Sequence, residues 1–570
     1  MPGADMDAAL FAPLPSPEEM AAWDALSEAE YALPGLLLME NAGREAFQVL
    51  AEDHGLWPGL DVLVLAGMGN NGGDGLALAR RLHNAGCLVK VISLRGPDRY
   101  RGIALEHCRA ALAAGVDAAA LASVEDGRGG KLPEQPAVIV DALAGAGFKG
   151  SVRGELLRLI RYINSRRGAY VLALDIPSGL NPMNGKAEPE AVMASATVCF
   201  AAPKPGLCLP WAAPHAGRLH VRDIGLPSRL LRSRPPARRL IRPRPGLLPP
   251  LSPFMHKGQK GRVIILGGSP GLMGAPLLSA LGASRAGAGL VTIAAPAPCL
   301  REWSRDWPEV MSLPLQAASW PELAAGPGLQ NLLARLRDLP EGSALVLGPG
   351  LGAEMQNAAL IKAVLDLPGR PPLVLDADGL RPCRAAPPEA LPPELVSLEL
   401  LRPDDLLTPH PGEMLRLVSC PEGEKAGQVP TTRDMQGQAG REAALGMALA
   451  HTRAVVLLKG AGTLIARRGG PINLLPLAEP ALAVGGSGDV LAGALAALMA
   501  RPPWPGCGAE EAACLGAWLH GRAGRLCARR WPGGGVMAQD IAGAIPEALR
   551  ELAAPQAELQ KPPPASGTFL

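Results

Sequence analysis

Aromatic side chains are scarce in this chain: 9 Trp, 4 Tyr and 6 Phe make up 3% of 570 residues, although 48% of residues are hydrophobic. The cores must therefore be built from Ala, Leu and Val around turns supplied by 69 Gly and 59 Pro, which favours layered α/β structure over an all-β sandwich. The ten cysteines contain no C-x-x-C pair and no His spaced to complete a zinc site. That excludes a disulfide framework and a transition-metal centre, and leaves reduced core thiols of a cytosolic protein. The opening Met1-Pro-Gly-Ala-Asp-Met-Asp7 lacks the basic start and apolar core of a signal peptide, and no charge-free apolar run reaches the length of a membrane span, so a soluble cytoplasmic protein is expected. A formal net charge of +2 gives no concentrated basic face for nucleic acid. No P-loop G-x-x-x-x-G-K-[ST] occurs, and the turn Gly67-Met-Gly-Asn-Asn-Gly72, though spaced as G-x-G-x-x-G, is not the dinucleotide fingerprint in its usual form, so generic P-loop and dinucleotide assignments are weak. Acidic residues are missing altogether from Ile224 to Arg301, and the site entered by Gly267 to Ala275 should welcome phosphates.

The length predicts roughly two to four domains. Residues 229–250 mix Arg and Pro so densely that neither a helix nor a central strand is expected there. They read as a linker between a domain at 1–228 and a second at 251–553, with a flexible tail at 554–570. Before the linker, apolar strand candidates (61–66, 88–93, 137–142, 170–175, 196–201) alternate with helical stretches (76–85, 103–114, 153–165), the pattern of a Rossmann-like, doubly wound parallel sheet. The alternation restarts after it, with strands near 262–266, 290–295, 344–348, 372–376 and 454–458 and helices near 274–287, 353–366, 437–451 and 488–500. In such sheets ligands sit at the carboxyl ends of strands.

Chemistry-bearing residues do follow the predicted strands. In the first half these are the turn Gly67-Met-Gly-Asn-Asn-Gly-Gly-Asp74, Asp141 with the glycines after it, and Asp175-Ile-Pro-Ser-Gly179. Together they form an oxygen-rich pocket able to hold a hard cation, with Asp175 as its acid/base. In the second half they are His256-Lys-Gly258, Gly348-Pro-Gly-Leu-Gly352, Asp376-Ala-Asp378, Thr408-Pro-His-Pro-Gly-Glu413, Lys459-Gly-Ala-Gly-Thr463 and Val484-Gly-Gly-Ser-Gly-Asp489. The last string leads directly into the apolar run Val490 to Met499. It reads as an anion-holding turn at a helix N-terminus with a carboxylate in the first turn, which suits phosphoryl transfer to a hydroxyl; the alternative reading is a helix start capped by Ser487 or Asp489.

These strings, with Leu38-Met-Glu-Asn-Ala-Gly43, resemble the bifunctional NAD(P)H-hydrate repair enzymes, in which an epimerase domain is fused to an ADP-dependent dehydratase domain of ribokinase-like fold. The likeness runs from about Leu33 to Leu526. It implies that Asn71, Asp141 and Ser178 ligate K⁺. The epimerase site would be lined by Asn70, Asn71, Gly72, Gly73, Asp74, Gly145, Ala146, Gly147, Phe148, Lys149, Gly150, Ser151 and Asp175, with Asp175 joining in proton transfer. In the second domain the resemblance implies hydrate contacts at Ala275, Gly350, His410 and Asp489. ADP, with Mg²⁺, would meet Lys459, Gly460, Ala461, Gly462 and Thr463 and the turn Gly485, Gly486, Ser487 and Gly488. Two departures stand out: Ala146 where Thr is common, and Val484 where Thr or Ser precedes the glycines, a lost hydroxyl worth about 1 kcal/mol of nucleotide binding. A homo-oligomer is expected, with no nucleic-acid or membrane partner.

The substrate explains the chemistry. A nicotinamide hydrate carries a hydroxyl beside the ring nitrogen, and hydroxide leaves poorly. Phosphorylating that oxygen makes a leaving group that the ring nitrogen expels, with Asp489 taking the hydroxyl proton and the Gly486 to Gly488 N–H groups stabilising the phosphoryl charge. The alternatives are a ribokinase-type small-molecule kinase and a catalytically silent scaffold.

Overall fold

The computed structural model describes residues 8–122, 132–302, 307–352, 354–419 and 429–553, so the expected tail lies outside the described residues. The chain divides into two compact units: Pro13–Arg239, and Leu240 onward together with the residues up to Ala12.

In the first unit seven strands form an all-parallel sheet in the spatial order Asp117–Ala120, Leu88–Ser93, Asp61–Ala66, Val138–Ala142, Tyr170–Leu174, Ala196–Phe200 and Arg218–Arg222. Both faces are covered. Val62, Val64 and Ala66 enter one core with Leu38, Val49 and Leu78, while Leu63 and Leu65 enter the other with Leu159, Ile160 and Ile163. Successive side chains point to opposite faces, so a strand buried on both sides reads as one uninterrupted apolar run. The order reverses between Asp61–Ala66 and Val138–Ala142, and that crevice is where such a sheet takes its ligand.

The second unit repeats the scheme. Its sheet runs Ile472–Leu475, Thr463–Ala466, Val455–Leu458, Leu406–Leu407, Leu373–Leu375, Ser343–Leu347, Arg262–Leu266, Leu290–Pro296 and Met311–Leu315. All pairs are parallel except the hairpin joining the first three strands. Helices Gly274–Arg285 and Ser487–Ala500 cross so closely that a Cβ on Gly282 would lie 2.1 Å from the Val490 carbonyl oxygen, and one on Gly493 1.8 Å from that of Ser279. The reversal lies between Arg262–Leu266 and Ser343–Leu347.

Two expectations need correction. The Arg/Pro segment is not structureless: it carries a helix, Ser228–Ser233, and a strand, Arg238–Ile241, that joins the second sheet between Phe11–Pro13 and Ile472–Leu475. Its prolines fall at 235, 236, 243, 245, 249 and 250, outside the four strand residues, so none removes a ladder donor. Just past the strand, Arg242 N–H donates to Leu10 O (2.8 Å) and Arg244 N–H to Ala9 O (2.9 Å). The second correction concerns Asn70 to Asp74, expected in a turn: the helix already begins at Asn70 and runs to Asn84. Gly72, Gly73 and Gly75 are needed there for closeness rather than for φ. A Cβ on them would lie 1.9 Å from Gly67 O, 2.5 Å from Met39 Sδ and 2.6 Å from Ala142 Cβ, so the helix start is pressed onto the sheet.

Candidate active sites

In the first unit three strand exits meet at the reversal. Asn71, in the first turn of its helix, is buried; with its amide oriented to satisfy both ends, the nitrogen donates to Leu174 O (3.0 Å) and the oxygen accepts from Gly145 N–H (3.3 Å). Asp141 is fully buried. It accepts from Ser178 Oγ (2.6 Å), Ser178 N–H (2.8 Å) and Leu143 N–H (3.3 Å), and Ser178 Oγ in turn accepts from Ala144 N–H (2.9 Å). Burial pushes the Asp141 carboxyl up to about 6 against those hydrogen bonds, because among the described residues it has no cationic partner.

Asp175 sits at φ +65°, a left-handed conformation that aspartate tolerates better than most residues. This bend turns its carboxylate toward loop 145–151, where Oδ2 accepts from Ala146 N–H (3.0 Å) and Oδ1 pairs with Lys204. Lys204 is 2% exposed; burial opposes its charge, but the Asp175 carboxylate outweighs it and raises its pKa. Burial, then Asp175 and Asp24, push the Asp74 carboxyl well above its ordinary value. Asn70, Gly147, Lys149 and Gly150 lie at the surface. Phe148, Gly150 and Ser151 line a cavity of about 390 Å³ together with Asn181 and Glu188.

In the second unit, Lys459 Nζ bonds Asp376 Oδ1 (2.8 Å) and lies 4.0 Å from Glu413 Oε2. Thr408 Oγ1 also donates to Asp376 Oδ1 (2.7 Å). A Cβ on Gly488 would be 3.4 Å from Lys459 Nζ and 4.0 Å from Asp376 Oδ2, so Lys459 faces the Gly485–Asp489 turn. Gly486, at φ +85°, starts the helix Ser487–Ala500. No side chain caps that helix, against the alternative reading of Ser487 or Asp489 as a cap. Ser487 Oγ instead bonds His520 Nε2 (3.0 Å), whose burial lowers its pKa to about 4 and keeps the ring neutral. The helix N-terminus thus offers unpaired N–H groups to an anion.

Gly350, at φ +62°, abuts Ala275: a Cβ there would be 3.3 Å from Ala275 Cβ and 2.4 Å from Leu272 O. His410 is exposed and caps the helix Pro411–Val418, its Nδ1 accepting from Gly412 N–H (3.0 Å) and Glu413 N–H (3.3 Å). As an acceptor Nδ1 carries no proton, which leaves Nε2 as the ring's donor. Asp378 braces the glycine loop by accepting from Gly352 N–H (3.0 Å).

Burial first, and then Asp376, lift Asp489 from 3.8 to about 7. The folded chain keeps a proton that the unfolded chain has released above pH 3.8, so this group's contribution to stability is lost as pH rises toward and through about 7. Asp489→Asn does not titrate. Its unfolding free energy is expected to gain on the wild type as pH rises from about 4 to 8, by on the order of 4 kcal/mol at most, about three pKa units at ~1.36 kcal/mol each. Thermal denaturation at several pH values checks this; a constant difference between the two proteins would contradict the raised carboxyl.

Four participants escape the sequence reading of individual site residues. Lys204 carried a usable signal, standing between two prolines just after the strand Ala196–Phe200. Asp376 and Glu413 lie in the strings Asp376-Ala-Asp378 and Thr408-Pro-His-Pro-Gly-Glu413, where nothing local tells their part from that of their neighbours. Nothing local marks His520, in mid-helix within Ala509–Arg530 and 33 residues from Ser487.

Comparison with known proteins locates two families on these two sites. Residues 35–206 match the family described as YjeF-related protein N-terminus, and residues 263–547 match NAD(P)H-hydrate dehydratase. A curated bifunctional NAD(P)H-hydrate repair enzyme from Moorella thermoacetica is 37% identical over 541 residues, covering 94% of this chain and 96% of the relative. One from Escherichia coli is 31% identical over 509 residues, covering 88% and 87%. Among solved structures, an ADP/ATP-dependent NAD(P)H-hydrate dehydratase from Bacillus subtilis, co-crystallised with ATP and Mg²⁺, is 26% identical and covers 54% of this chain and 94% of its own, with a TM-score of 0.41. Among the described residues no helix is long and apolar enough to cross a membrane.

Proposed function

The chain belongs to the bifunctional NAD(P)H-hydrate repair enzymes, and from that premise we propose that its first unit interconverts the R and S hydrates while its second uses ADP to dehydrate the S epimer. The observation that carries the reading is the meeting of Lys459, Asp376 and Asp489 at an uncapped helix N-terminus. A carboxyl lifted to about 7 is a proton acceptor matched to neutral pH, and the ammonium and N–H groups beside it suit transferring phosphate.

In the second unit, Asp489 takes the proton of the hydrate hydroxyl as its oxygen attacks the β-phosphorus of ADP, and AMP leaves. Lys459 and the helix N-terminus offset the charge on the transferring group. The ring nitrogen then expels inorganic phosphate, and loss of a proton from the adjacent ring carbon restores the dihydronicotinamide. Gly350 and Ala275 form a wall without side-chain bulk where the ring would lie, and His410 presents its Nε2–H to the substrate.

In the first unit the same carbon inverts. Asp74, its carboxyl pushed well above the ordinary carboxylate value, gives its proton to the departing hydroxyl, which leaves as water while the ring nitrogen's lone pair forms the iminium. Asp175, paired with Lys204, takes the proton of the water that adds to the opposite face.

Two ions fit the residues present. The fully buried Asp141, without a cationic partner among the described residues, together with Ser178 and Asn71 offers the hard oxygen donors that K⁺ takes. When bound, K⁺ would neutralise Asp141 and stiffen the loop that Ala144 and Gly145 begin. Carboxylate crowding at Asp489 and Asp376 is likewise the negative excess that Mg²⁺ offsets. No three His, Cys, Asp or Glu side chains converge as a metal cage among the described residues, so these two carboxylates would share the ion with nucleotide phosphates, whose charge it screens.

Incubating the chain with racemic NADH hydrate and ADP is expected to recover NADH absorbance completely, with one AMP and one phosphate per NADH. A stable phosphorylated product would favour a ribokinase-type kinase, and no recovery would overturn the proposal.

A further inference from the structure

The loop Lys459 to Gly462 joins two antiparallel strands, and its shape is held from below by a residue far away in sequence. Arg441, on the helix Gln438–Ala450, is 3% exposed. Its Nη1 donates to the carbonyls of Ala461 and Gly462, both at 2.7 Å, and its Nη2 to those of Leu458 and Lys459, both at 3.4 Å. Four N–H bonds of one planar fork thus gather four main-chain oxygens, a geometry that an ammonium cannot copy. Among the described residues Arg441 makes no ion pair. Burial brings its pKa down only to about 10, so at neutral pH it stays charged.

Fixing the carbonyls on one side decides what the other side shows. Lys459 N–H is spent on Pro409 O (2.9 Å) and Gly462 N–H on Leu477 O (3.0 Å). The N–H groups of Gly460 and Ala461, both exposed, donate to no protein acceptor among the described residues. Gly460 holds φ +136°, and a Cβ there would lie 3.3 Å from Arg441 Nη2, so the loop rests directly on the guanidinium. The loop therefore presents two free donors and, one layer beneath them, an unneutralised positive charge.

We propose that Arg441 is a positioning residue of the nucleotide site, setting the loop 459–463 for the phosphates of a nucleoside diphosphate and adding its buried charge to their attraction without touching them. This rests on the reading of the second unit as ADP-dependent. Arg441 grips the loop through its main chain, whereas the Lys459 ammonium that serves the transfer step is held by Asp376, so the effect should fall on nucleotide affinity.

The test uses the full chain, steady-state dehydration of the S hydrate, and the variants Arg441→Lys and Arg441→Gln. Arg441→Lys keeps the charge and loses the fork; Arg441→Gln loses both. The KM for ADP is expected to rise about tenfold in Arg441→Lys and about a hundredfold in Arg441→Gln. In both, kcat and the KM for hydrate should stay within about threefold, and epimerisation by the same molecules should be unchanged, which reports intact folding of the remainder of the chain. If Arg441→Gln does not fold, Arg441→Lys alone carries the comparison. A fall in kcat at unchanged KM for ADP, or an equal rise in both KM values, would overturn the proposal. Wild-type protein whose dehydration ignores ADP would instead overturn the function proposed for the unit, so the two failures are distinct.

Discussion

Replacing Asp489 by Asn is expected to lower dehydration of the S hydrate by about a thousandfold or more while leaving ADP binding and epimerisation near wild-type levels. The size follows from the role: removing a positioned general base typically costs about 10²–10⁴ in rate, and the amide preserves the volume but cannot accept the hydroxyl proton. ADP binding should survive because the helix N-terminus that faces the phosphates is uncapped by any side chain, and its N–H groups remain. Asp376 and Glu413 stay in place beside Lys459, so Asp376 remains to share the ion with the nucleotide phosphates. Single-turnover assays with saturating ADP, and equilibrium titration of ADP, separate the two effects. A variant within about tenfold of wild type, ~1.4 kcal/mol of barrier, would show that Asp489 is not the base.

Asp175→Asn is expected to abolish epimerisation, again by about a thousandfold, with the S hydrate still dehydrated at the wild-type rate. The substitution suits the backbone: φ +65° is a region in which Asn is at least as well tolerated as Asp, so the loop should keep its path. What changes is the proton acceptor and the charge facing Lys204, which is almost wholly buried and has Asp175 as its ion-pair partner. The clearest assay supplies the R hydrate alone with ADP. Wild-type protein should convert it fully, whereas the variant should recover NADH only as fast as the hydrate epimerises spontaneously. Equal recovery by both would remove Asp175 from the mechanism. Impaired dehydration of the S hydrate would contradict the division of one activity to each unit.

The strands and most of the candidate sites could be read from local sequence because both follow local rules. Doubly buried parallel strands such as Asp61–Ala66 and Ser343–Leu347 need unbroken apolar runs, and ligands at their exits need glycines and carboxylates within a few residues. Hence Asn71, Asp141, Asp175, Lys459 and Asp489 could be picked out along the chain. Chain order also predicted the doubly wound architecture.

Tertiary structure alone decided the rest, since it turned on contacts between distant residues. The glycines after Asn71 looked like turn formers, but they are places where a helix start is closely packed, because steric fit depends on Gly67, Met39 and Ala142 rather than on neighbours. The proline-rich segment contributes a strand because four proline-free residues find partners in the distant strands Phe11–Pro13 and Ile472–Leu475. Lys204 meets Asp175, His520 meets Ser487 and Arg441 meets Lys459 of the loop after Leu458 across 29, 33 and 18 residues. Sequence spacing fixes which residues share a strand end or a helix turn. Which buried charge finds its partner is set by desolvation, which only the folded arrangement defines.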